Sequence, residues 1–162
     1  MAIPYCRILV PLDGSEFAAK ALPHAEAVAR SMTAELILLQ VLPVSDIPAS
    51  DPTISPVDAE SMDLYVDHHQ SEQMQSVLVG NAHESLLKTI EVSIGEDVDV
   101  RPVVEIGSPT GVIIDYVRDN NIDLVVMSTH ARIGLPRWVF GSVAIKVLQA
   151  APCPVLLIRV TG

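Results

Sequence analysis

Residues 127–143, MSTHARIGLPRWVFGSV, decide how this chain is read. They follow the apolar run 122–127, IDLVVM, which has the composition of a strand buried on both faces. Gly141 and Ser142 then open VAIKVLQAA, a stretch of good helix formers. A loop of small residues between a buried strand and a helix start is where a doubly wound sheet holds an anionic ligand. The unpaired N–H groups and the positive end of the helix macrodipole both point out of the sheet there.

Working outward to the N-terminus, residues 6–12, CRILVPL, form a strand that stops at Asp13-Gly14-Ser15. Asp13 or Ser15 can cap the helix that follows by accepting from an unpaired backbone N–H. That helix, residues 16–31, carries Phe17, Ala21, Ala25 and Val28 at helical spacing, and Pro23 marks a kink or irregularity in it. Residues 34–42, AELILLQVL, are a second buried strand, which completes a right-handed βαβ unit. Residues 43–57 hold Pro43, Pro48, Pro52 and Pro56 and are expected to form a surface loop at the ligand end of the sheet.

Residues 58–94 have a helical pattern, bent or broken at Gly80-Asn81, with Leu78, Leu86, Leu87, Ile90 and Ile94 on the inner stripe. His68 and His69 are adjacent, so they point to different sides of that helix and do not make a metal pair. A third strand covers 98–106, and Pro102 within it favours an edge position. Ser108-Pro109 opens a helix over 110–120, with Ser108 as N-cap and Pro109 at the first helical position. The last strand is 155–160. Five strands alternating with helices predict an α/β, mostly parallel, doubly wound sheet with its ligand site beyond the carboxyl ends of the strands.

Length and composition fit one domain over 1–162. The formal charge of −10 argues against a general nucleic-acid surface. The apolar stretches are too short to span a bilayer, and no secretory leader is visible, so a cytoplasmic protein is expected. Cys6 and Cys153 match no metal spacing and read as free, buried thiols in a reducing compartment.

ILVPLDGSEFAAKAL, LILLQVLP, the GSP turn and THARIGLPRWVFGSVAIKVLQAAPCPVLLIR together resemble the universal stress protein family, over nearly the whole chain except 43–75. The resemblance implies a five-stranded sheet ordered 3-2-1-4-5 with helices on both faces, the adenine nucleotide alpha hydrolase-like fold. It also implies a homodimer through the 155–160 edge, which otherwise invites aggregation. Nucleotide-binding members carry Gly, two residues, Gly, nine residues, Gly, then Ser or Thr. Those positions are here Ser128, Ala131, Gly141 and Ser142, so the last two match and the first two do not. By the same resemblance, Pro11 and Asp13 end the first strand at the site, and Asp13 accepts a ribose hydroxyl. The Val41 backbone reads the adenine edge, Met127 and Val143 pack near the base and phosphates, and Gly141 and Ser142 contact phosphate oxygens. The implied ligand is ATP, or AMP or ADP, with Mg or Mn carried by the phosphates.

Several plainer roles stand beside these. Asp13 and Ser142 are ordinary helix-start residues, and His130 and Arg132 are phosphate neighbours or simply loop residues. An alanine forced to positive φ at 131 would cost on the order of 1–2 kcal/mol. No Walker lysine is present, and a Ser142–His130–Asp13 triad has no nucleophile elbow to support it, so little or no hydrolysis is expected. The alternative to a nucleotide sensor is a dimeric interaction module of the same family that binds no nucleotide.

Overall fold

The computed structural model describes residues 5–44, 63–130 and 141–160, with backbone alone at 63–71 and at His130. Five strands form one sheet: β1 (Arg7–Leu12), β2 (Glu35–Leu42), β3 (Val100–Ile106), β4 (Leu124–His130) and β5 (Val155–Val160), in the spatial order β3-β2-β1-β4-β5. The expected order is therefore present, and every neighbouring pair is parallel. The helices are α1 (Glu16–Ala19), α2 (Leu22–Met32), α3 (Asp63–Ser93), α4 (Pro109–Asp119) and α5 (Ser142–Ala150).

β1 and β2 read as apolar runs because both faces of the sheet are covered along residues 8–10 and 36–39. Ile8, Val10, Leu36 and Leu38 pack with Leu22 and Ala25 of α2 and Leu86 of α3. Leu9, Ile37 and Leu39 pack on the opposite face with Ile113 and Val117 of α4 and Val147 of α5. Pro102 sits on edge strand β3, where its missing N–H costs no ladder bond on the open side.

Some expectations need correction. The helix foreseen over 16–31 is two helices; the irregularity expected at Pro23 is present as the break at 20–21, and Pro23 lies in the first turn of the second helix, where its missing donor is harmless. α3 runs through Gly80-Asn81 unbroken. A mid-helix glycine costs about 0.5–1 kcal/mol relative to alanine, too little to break a helix held by Leu86, Ile90 and Ile94. Leu87 is not on that inner stripe and is 43% exposed, since one step along a helix turns about 100°. β4 continues past Met127 to His130, because the ladder to β5 extends as far as His130 opposite Val160. Ser108 holds the N-cap position of α4 but makes no side-chain cap bond. Both cysteines are free, but Cys6 is exposed and Cys153 half-buried, not fully enclosed. Of the proline-rich stretch only Pro43 and Val44 fall within the described residues.

An ion-pair network joins α2 to the turn before β3. Arg30 donates from Nε and Nη2 to the two Asp97 carboxylate oxygens at 2.7 and 2.9 Å, and from Nη2 to Glu26 Oε1 at 2.8 Å. Gly95 N–H donates to the same Glu26 oxygen at 2.9 Å. The Arg30 guanidinium holds the Asp97 carboxyl below the usual carboxylate range. Asp97 is therefore a depressed acid, so the pair adds stability above the ordinary carboxylate pKa and loses it as pH falls through the folded value. Because the pair is exposed, the effect is small. Asp97→Asn is expected to lower the urea midpoint slightly at pH 7 and to flatten its decline between about pH 5 and pH 3. Superimposable midpoint-against-pH curves for the two proteins would show that the pair contributes nothing.

Candidate functional site

The carboxyl ends of β1, β2 and β4, the helix α1 and the starts of α4 and α5 surround one crevice of about 560 Å³. That lies in the range of roughly 300–1,000 Å³ typical of small-molecule sites. β1 brings Pro11 and the following Asp13, β2 brings Val41, and β4 brings Met127 and Ser128. Gly141, Ser142 and Val143 come from the start of α5. Eight residues nominated from the sequence thus share one hollow. Ala131 and Arg132, and the side chain of His130, lie outside the described residues.

The turn after β1 is built by Gly14, whose φ of +81° is the left-handed region that glycine enters at no steric cost. This lets the chain fold back so that Asp13 Oδ1 accepts from Ser15 N–H at 3.0 Å and from Ser15 Oγ–H at 2.5 Å. Ser15 Oγ in turn accepts from Ala18 N–H at 3.1 Å and is the N-cap of α1. Asp13 therefore orients the cap and does not form it. Among the described residues its Oδ2 accepts no hydrogen bond, and Asp13 lines the crevice.

At α5 the cap position falls on Gly141, which supplies no side chain. The first intrahelical bond runs from Ile145 N–H to Gly141 O at 3.0 Å, so the N–H groups of Ser142, Val143 and Ala144 precede the helical ladder. Gly141 has φ −57° and a Cβ there would meet nothing within 4 Å. Its glycine relieves no strain; it keeps the wall bare where a ligand can approach the backbone closely.

Ser128 stands in extended backbone without positive φ. Its Oγ–H donates to Ala18 O of α1 at 3.3 Å, away from the α5 side. Strand alternation separates it from its neighbours. Met127 packs with the α4–α5 core, whereas Val126 packs with the α2–α3 core. Thr129, on the Met127 side, lines the crevice at 4% exposure, and its Oγ1 has no partner among the described residues.

Sequence reasoning missed Gln40 and the α4 residues Pro109 and Ile113, all of which line the crevice. Thr129 was legible, since it is the one hydroxyl in phase with Val125 and Met127 on a strand buried on both sides. Ile113 was not, because helix-to-crevice contact depends on how α4 crosses the sheet. Among the described lining residues Asp13 is the only charged one, so an anion bound here meets backbone dipoles and hydroxyls. Among the described residues no three His, Cys, Asp or Glu side chains cluster as metal ligands. Burial, reinforced by Asp123, pushes the Cys153 thiol up, which disfavours a reactive thiolate.

The sequence profile of the Universal stress protein family matches residues 4–159. Universal stress protein YxiE of Bacillus subtilis is 28% identical over 153 residues, covering 94% of this chain and 98% of its own. Among solved structures, MJ0577 of Methanocaldococcus jannaschii superposes with a TM-score of 0.74 at 24% identity, covering 99% of each chain. A family protein from Arabidopsis thaliana, solved with AMP bound, superposes with a TM-score of 0.54 at 17% identity, covering 97% of this chain and 93% of its own. Sheet order and helix placement are those of the adenine nucleotide alpha hydrolase-like fold.

Ser15→Ala removes the cap of α1 and the hydroxyl that holds Asp13 Oδ1. A loss of about 0.5–2 kcal/mol in unfolding free energy is expected, read as a lower denaturant midpoint at unchanged m value. An unshifted midpoint would show that Ser15 does not hold this turn together.

Proposed function

This chain belongs to the universal stress protein family, and from that premise we propose that it binds an adenine nucleotide in the crevice, ATP first and otherwise ADP or AMP, as a homodimeric stress-response sensor. The observation that carries the reading is the convergence of Pro11, Asp13, Val41, Met127, Gly141 and Ser142 on one hollow beside the uncapped start of α5. In this reading Val41 and Met127 contact the base, and Asp13 Oδ2 accepts a ribose hydroxyl. The N–H groups of residues 142–144 donate to phosphate oxygens. Ala131, Arg132 and His130 are assigned to the phosphate neighbourhood. Because the described lining holds no cationic side chain, Mg or Mn carried on the phosphates offsets their charge.

Little or no hydrolysis belongs to the proposal, since the described lining offers no lysine clamp and no histidine base. A cytoplasmic setting is part of it too, in keeping with the free thiols Cys6 and Cys153. The negative φ of Ser128 and its bond to Ala18 support binding despite the lost glycine, because they leave the α5 side of the crevice clear.

Titration calorimetry with ATP and Mg tests the reading: saturable heat and a raised Tm are expected. No heat and no thermal shift at millimolar ATP would retire it in favour of the interaction module, and ATP affinity created by restoring glycine at 128 and 131 would establish that alternative. Asp13→Ala is expected to weaken ATP about tenfold to a hundredfold, the usual worth of a hydrogen bond to a charged group. An unchanged Kd in a folded variant would remove Asp13 from the site.

The dimer is assigned to β5, which among the described residues pairs only with β4 and leaves its other edge open, with Leu156 38% exposed. Leu156→Glu is expected to sediment as a monomer with an unaltered circular dichroism spectrum. A variant that still sediments as a dimer would place the interface elsewhere.

A further inference from the structure

We propose that the Thr129 hydroxyl is a phosphate-reading contact of the crevice, donating to an oxygen of the bound phosphate chain beside the start of α5. This rests on the nucleotide reading and adds to it a specificity-determining side chain. Thr129 is 4% exposed and lines the crevice, and its Oγ1 is a buried polar atom without a partner among the described residues. A buried hydroxyl left without a hydrogen bond is unfavourable, and native chains retain few of them.

Packing gives no reason for a hydroxyl here. The position continues a stripe of β4 whose preceding members, Val125 and Met127, pack with Ile113, Val117, Ala144 and Val147. Valine has the same shape and would fill the place at no polar cost. The neighbouring hydroxyl shows the contrast: Ser128, on the other face, is satisfied by Ala18 O within the chain. Among the described residues nothing accepts from Thr129.

The ligand chemistry follows from what shares the wall. The α5 start presents the N–H groups of residues 142–144, all donors, and Gly141 adds no side chain that could accept. A threonine hydroxyl that joins this set as a further donor completes a cradle for an oxyanion, and a phosphate oxygen accepts several such bonds at once. A base edge or a ribose would leave most of those donors unmatched. Elsewhere on the lining Asp13 supplies an acceptor, which suits the hydroxyl-bearing part of a nucleotide.

The test compares wild type, Thr129→Val and Thr129→Ser by calorimetry with three probes, ATP with Mg, inorganic triphosphate and adenosine, alongside thermal unfolding without ligand. Thr129→Val is expected to unfold at the same temperature as wild type or above it, because an unsatisfied group has been removed. It should bind ATP and triphosphate about tenfold to a hundredfold more weakly and adenosine equally well. Thr129→Ser should keep the wild-type affinities. Unchanged ATP affinity in Thr129→Val would overturn the proposal while leaving the nucleotide reading intact, and an equal loss for adenosine would move the contact to the nucleoside. A lower unfolding temperature with unchanged affinity would show that the hydroxyl is satisfied inside the chain. Triphosphate binding that depends on Thr129 in a protein with no preference for ATP would uphold the contact and defeat the nucleotide reading. Absence of binding to all three probes would defeat both.

Discussion

Burial of a parallel sheet on both faces is the constraint from which the rest follows. With α2 and α3 on one side and α4 and α5 on the other, the apolar side chains at the middle of β1 and β2 have no solvent to face. Only the two ends of the sheet can do chemistry, and they are built differently. At the amino end Asp123 Oδ2 accepts from the N–H groups of Cys6 and Arg7, at 2.8 and 2.9 Å. Glu35 there pairs with Arg7 at 3.4 Å and with Arg101 at 3.1 Å. Side-chain charges close that end. At the carboxyl end the crevice is walled by apolar side chains, hydroxyls and backbone donors, with Asp13 the one charge among the described residues lining it.

That asymmetry explains why the fold was legible. Continuous apolar runs, helix periodicity and the turn residues between them leave few topologies, and right-handed crossovers remove most of the remainder. The winding order that the family resemblance implies puts the ends of β1 and β4 side by side, and the same resemblance is why residues as distant in sequence as Asp13 and Ser142 could be nominated together. Legibility failed where local preference met tertiary packing. Gly80 stays helical because the opposite face of α3 is anchored, and β4 extends to His130 because β5 supplies a partner strand. Leu87 was misplaced because an apolar residue next to an inner one has a similar sequence signature but lies well around the helix from it.

Thr129 shows a different limit. Composition marks it as part of a loop of small residues, whereas burial makes it a member of a strand with its hydroxyl enclosed. Whether a buried hydroxyl is satisfied depends on every atom within about 3.5 Å of it, a property no pattern of residue types contains. The same holds for Asp13. Its sequence context leaves the cap to either Asp13 or Ser15, and the structure gives it to Ser15 and leaves one Asp13 carboxylate oxygen without a partner among the described residues.

The departure at Ser128 is best weighed by asking what a glycine would do there. Glycine serves either a positive φ or a close approach to the backbone. The first does not apply, because position 128 is extended strand paired with Ile158. The second depends on which face the new Cβ occupies. Alternation along β4 sends Ser128 towards α1, where Ala18 O accepts its proton, and sends Thr129 towards α5. The serine thus adds volume on the side facing α1 and contributes a bond between β4 and α1 instead of a clash at the α5 start. A substitution that breaks a sequence motif need not break the cradle that the motif describes, provided the added atoms point away from the donors. Here the donors belong to the first turn of α5 and not to position 128.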